Sequence, residues 1–99
     1  MDAHEGNWKI VIEEHGRSGV IRYVEGGNDI RFDWEFGSGN NVVFIWGTKE
    51  HNWEKTYPWA VGRCQQVFER VASGAIMQKA PTCKYKFDLN AGTIDIYAP

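Results

Sequence analysis

Apolar and polar residues follow two rhythms along this chain. Trp8-Lys9-Ile10-Val11-Ile12-Glu13-Glu14 is apolar at alternate positions, and Val20 to Glu25 follows after a loop at His15-Gly16-Arg17-Ser18-Gly19. Gly26-Gly27-Asn28 has the length and composition of a hairpin turn. From Asp29 to Phe36 the alternation is strict: Ile30, Phe32, Trp34 and Phe36 are interleaved with Arg31, Asp33 and Glu35. Period two with one dry and one wet side predicts a strand buried on one face. Gly37-Ser38-Gly39-Asn40-Asn41 closes another hairpin, and Val42 to Trp46 is apolar throughout. That run predicts a strand covered on both faces or central in its sheet. Turns this short join antiparallel neighbours, so residues 8 to 46 are expected to form a four-stranded meander.

Gly47 ends that regime. Thr48 is placed to cap a short helical turn over Lys49 to Lys55. Pro58 fits a first helical turn. From there Ala60, Val61, Cys64, Val67, Phe68, Val71, Ala72, Ala75 and Ile76 recur at three- and four-residue spacing. A helix is therefore expected from Tyr57 or Pro58 towards Lys79, ended by Ala80-Pro81 and containing Gly62, which costs ~1 kcal/mol in a helix interior. Period two returns at Lys84 to Leu89, and Asn90-Ala91-Gly92 forms a loop before Thr93 to Tyr97. The order β-β-β-β-α-β-β predicts an α+β domain: two layers, an antiparallel sheet of about six strands under one long amphipathic helix. The last hairpin either extends the sheet or folds over it. The whole chain, 1–99, reads as one domain with residues 1–7 as a frayed tail.

Composition narrows the function. Of 99 residues, 42% are hydrophobic and 24% charged, which excludes a disordered chain. The longest apolar run, Val42 to Trp46, is far short of the ~20 residues a spanning helix needs. A net charge of −2 lacks the basic footprint of a phosphate-neutralising protein. The polar start Met-Asp-Ala-His-Glu-Gly has no secretory signature. The expected compartment is the cytoplasm, with Cys64 and Cys83 as thiols.

No chemical motif reaches specificity. His4, His15 and His51 share no ligand spacing, so no metal is assigned. Cys64 belongs to the helical stripe, where a thiol is inert; Cys83 lies near Lys84 and Lys86 but has no visible base. Asp33 and Glu35 share the wet side of one strand and are expected to pair with Arg22 or Lys9 across the sheet. Gly37-Ser38-Gly39 precedes a strand, not a helix, and is a turn, not a phosphate loop. No catalytic residue and no cofactor are assigned.

The aromatic content is the feature out of scale: five Trp, five Phe and four Tyr. A small core does not hide every indole. Trp46, Trp53, Tyr57 and Trp59 crowd the longest connector, mixed with Lys49, Glu50, Glu54 and Lys55. Trp and Tyr are enriched at binding hot spots, and long connectors carry function, so these four form the candidate contact patch. The expected function is a non-enzymatic interaction or accessory module, of inhibitor or immunity type or a self-associating subunit. Its partner is another protein or a second copy, with no membrane. The alternative is a small-ligand domain with a pocket between helix and sheet, opened by Gly62. A sheet binding single-stranded nucleic acid is the further alternative, since a four-strand meander followed by a helix also occurs in such domains.

Overall fold

The computed structural model describes residues 7–99. The first six residues of the expected tail, with His4, lie outside the described residues. Six strands form one antiparallel sheet: β1 (Trp8–His15), β2 (Ser18–Glu25), β3 (Asn28–Phe36), β4 (Asn41–Trp46), β5 (Lys84–Asp88) and β6 (Thr93–Tyr97). Their order across the sheet is β1-β2-β3-β4-β6-β5. The α+β class and the four-strand meander are as the alternation predicts. The last hairpin extends the sheet: β6 pairs with β4, and β5 forms the edge. Because β6 is antiparallel to both, β4 and β5 run parallel, and the helical crossover between them skips one strand position.

The helical layer differs from a single rod. Two α-helices, α1 (Glu50–Thr56) and α2 (Cys64–Lys79), flank one 3-10 turn at Pro58–Ala60. The short α1 lies one residue beyond the expected turn over residues 49 to 55, and Thr48 does not cap it: Lys49 is the N-cap with no side-chain hydrogen bond, and the Thr48 hydroxyl meets Tyr57. The longer α2 begins six or seven residues later than periodicity suggests. Val61 is extended (φ −56°, ψ 135°) and Gly62 is left-handed (φ +75°), so the chain leaves the helical basin there. Gly62 is thus a turn residue, not a helix-interior one. At the other end α2 runs through Gly74 to Lys79 as expected, and Ala80 at φ −148° stops it before Pro81.

One sheet face and one side of α2 make the core. Ile10, Ile21, Tyr23, Ile30, Phe32, Trp34, Ile45, Ile94 and Ile96 are buried against Val67, Phe68, Val71, Ala72 and Ala75. Phe32 and Phe68 meet edge to face with centroids 5.2 Å apart. Burying such a side chain stabilises by ~1.5–3 kcal/mol. Gly74 lets the helix approach β1, since a Cβ there would lie 2.7 Å from Ile10 Cγ1.

Candidate functional site

The four aromatic residues singled out by crowding are not brought together. Trp53 is 1% exposed, and its Nε1 donates to the Ala60 carbonyl at 2.8 Å. Its ring contacts Tyr57 at 4.9 Å and Phe68 at 6.1 Å. Tyr57 and Trp59 are half-buried against the same core, with the Tyr57 hydroxyl 3.2 Å from Thr48 Oγ1. All three rings pack into or against the core. Trp46 points the other way, to the outer sheet face, where it lies 5.6 Å from Phe44. Alternation along β4 explains the split: Val43 and Ile45 face the core, Phe44 and Trp46 do not.

The outer face carries a readable grid. Strand registers set Asp33, Trp46, Thr93 and Asp88 in one row across β3, β4, β6 and β5. The next row is Glu35, Phe44, Asp95 and Lys86. Beyond it Tyr97 is paired with Lys84, and the Lys86 ammonium sits 5.8 Å from the Tyr97 ring. The aromatic pair is central, with Arg31, Asp33 and Glu35 on the β3 side and Lys84, Lys86 and Asp88 on the β5 edge. Both described helices pack on the opposite, core side. Farther out, Arg22 pairs with Glu13 (2.8 Å) and Asp29 (2.9 Å), and Asp33 with Arg31 (3.0 Å). The expected pairing of Asp33 or Glu35 with Arg22 or Lys9 is therefore replaced by these contacts. Arg22 holds the half-buried Glu13 carboxyl below its ordinary range.

On the core side the seam between α2 and the sheet has two unlike ends. At the N-terminal end, Arg63 grips Glu25 in a two-pronged contact of 2.7 and 2.9 Å. Tyr23 donates its hydroxyl proton to the same carboxylate, and Arg70 donates to the Tyr23 oxygen at 2.8 Å. The Arg70 guanidinium also covers the Trp8 ring at 4.7 Å. Glu25 is 8% exposed and its pKa is lowered, first by the Arg63 hydrogen bonds. Both Glu25 oxygens and the Tyr23 hydroxyl are engaged within this cluster, which clamps α2 to β2.

At the C-terminal end the seam gapes. A cleft of about 260 Å³ lies among Ile12, Ile21, Trp34, Val43, Ala75 and Ile96. Phe36, 44% exposed, and the Lys79–Glu14 ion pair (2.6 Å) stand at its rim. The Trp34 indole that walls it donates to the Glu13 carbonyl at 3.2 Å. Gly62, expected to open a pocket between helix and sheet, does not line this cleft.

Cys64 and Cys83 are free thiols. Burial, aided by Glu50, pushes Cys64 up to about 11, which disfavours its thiolate. Among the described residues, no three of His, Cys, Asp and Glu are grouped to hold a metal ion, and no helix is long and apolar enough to cross a membrane. Comparison with protein-family models, characterised proteins and solved structures finds no match to this chain.

Proposed function

We propose that the protein is a non-enzymatic interaction module that docks through the outer face of its sheet. The observation that carries this reading is the Phe44–Trp46 pair, at the centre of a sheet face that neither described helix covers. Aromatic anchors ringed by charge are the make-up of a binding hot spot. Of the aromatic residues expected to form the patch, Trp46 stays in the proposal, joined by Phe44 and Tyr97; Trp53, Tyr57 and Trp59 serve the fold. Two free thiols suit the reducing cytoplasm, the compartment this reading assumes.

The test separates a docking role from a folding role. Phe44→Thr with Trp46→Thr is expected to cost the isolated protein under ~1 kcal/mol each, the scale of cross-strand pairs on a sheet surface. A loss above ~3 kcal/mol in urea unfolding, the scale of truncating a core aromatic, makes the pair structural and ends the reading.

The cleft favours a second reading, a small-ligand site. Its volume of about 260 Å³ exceeds the ~150 Å³ of an apolar cavity able to take up benzene. Saturable shifts of methyl signals from Ile12, Ile21 and Ile96 on titration with naphthalene would support it. Unchanged spectra at the solubility limit of the probe exclude it.

A further inference from the structure

One row of the outer face carries opposite charges at its two ends, and that row matches itself. Glu35 on β3 and Lys86 on β5 belong to one row, separated by Phe44 on β4 and Asp95 on β6. A two-fold axis lying in the interface, parallel to the strands and between β4 and β6, exchanges the two flanks. It sets β3 of one copy against β5 of the other, and β4 against β6. Glu35 of each copy then meets Lys86 of its partner, twice per dimer, as an isologous contact requires. Trp46 of each copy then covers Thr93 of the other, and Phe44 faces the partner's Asp95. Asp33, which the same operation sets near a partner's Asp88, already has its charge met by Arg31 at 3.0 Å.

We infer that this face binds the same face of a second copy, so that the protein forms a sheet-on-sheet homodimer. The inference rests on reading the outer face as an interface and names the occupant. Faces of two twisted sheets pack with their strands about 30° apart and ~10 Å between layers, a gap that Phe44 and Trp46 are long enough to fill. The four strands involved are ~20 Å across, from a spacing of ~4.8 Å. That is small for a permanent interface, so the dimer is expected to be weak and concentration-dependent.

Sedimentation equilibrium on the full chain, from about 10 µM to about 1 mM, tests the inference. The expected result is reversible dimerisation that weakens as salt rises, because the flanking pairs are solvent-accessible. Trp46→Ser is expected to weaken it by roughly tenfold or more, as for a hot-spot aromatic. Glu35→Lys and Lys86→Glu should each weaken it about threefold or more, and the two together should restore it, since the pair is then reversed rather than broken. Near-UV circular dichroism checks that each variant keeps its fold. A chain monomeric at about 1 mM, a dimer indifferent to Trp46→Ser, or single charge reversals that the double variant does not rescue overturns the inference. Monomeric behaviour with Phe44 and Trp46 dispensable for stability removes only the second copy. A large stability loss in the Phe44 and Trp46 variants removes the docking face itself.

Discussion

The two ends of the α2–sheet seam show how one interface is held shut and left ajar. Near the start of α2, an ion pair with both partners largely buried is completed by a phenol and a second guanidinium. Side-chain exposures are 28% for Arg63 and 10% for Glu25. Near the end of α2, Lys79 and Glu14 approach as closely, at 2.6 Å, but at 54% and 50% exposure. Distance alone makes the two pairs look alike. Desolvation separates them: water screens the second and leaves it worth little, whereas breaking the first strands a charge. The sealed end also holds Trp8 and Tyr23 in a stack at 6.0 Å, while the open end leaves its apolar walls around a cleft.

Removing the carboxylate at the sealed end should have the largest effect. Glu25→Ala leaves Arg63 and the Tyr23 hydroxyl without their acceptor and is expected to cost ~3–5 kcal/mol in urea unfolding. A cost near that of a surface pair would erase the distinction between the ends.

Adding volume along α2 sharpens the contrast. Ala72 and Ala75 lie on the same side of the helix, but only Ala75 lines the cleft. Ala72→Leu is expected to cost ~1–3 kcal/mol by overpacking. Ala75→Leu has room and should be neutral within ~0.5 kcal/mol or stabilising. Equal losses would mean the cleft has no room for added atoms.

Acid probes the sealed end separately. In the native state Arg63 holds the Glu25 pKa below the ordinary 4.5, so the unfolded chain takes up this proton first. The stabilisation is present above pH 4.5 and fades as pH falls below it towards the native pKa. The stability difference between the natural chain and Glu25→Gln should therefore shrink on acidification. A constant difference from pH 7 to about pH 2.5 would contradict the link.

Lys79→Ala should have the smallest effect, below ~0.5 kcal/mol and vanishing at high salt.

Much of this architecture is legible in period alone. Ile30, Phe32 and Trp34 are buried where strict alternation puts them, and Val67 to Ala75 turn the face that three- and four-residue spacing predicts. The failures have local causes. The stripe through Ala60 and Val61 keeps helical spacing, but Gly62 adopts a left-handed turn that spacing does not report. Trp53 sits in the polar stretch Glu50–Thr56 and reads as exposed, yet the carbonyl of Ala60 gives its indole a buried partner. Crowding in sequence therefore suggested a patch that the alternation of β4 splits between two faces. The clamp was hidden because its members lie 38 and 47 residues apart. One cue was present: Glu25 shares parity with Ile21 and Tyr23, which puts a carboxylate on the dry side of β2. Val20 and Val24 make the opposite parity equally oily and mask that cue.

The skipped strand position has a consequence for how the chain assembles. The edge of β4 facing away from β3 stays unpaired until β6, the last strand in sequence, enters the gap, although β5 is synthesised first. Asn41 meets Tyr97 across more than half the chain. Any species lacking residues 93–97, whether nascent or clipped, presents the oily Val42–Trp46 backbone as a template for foreign strands. Hydrogen exchange in β4 should consequently report on the docking of β6, with both strands opening as one unit.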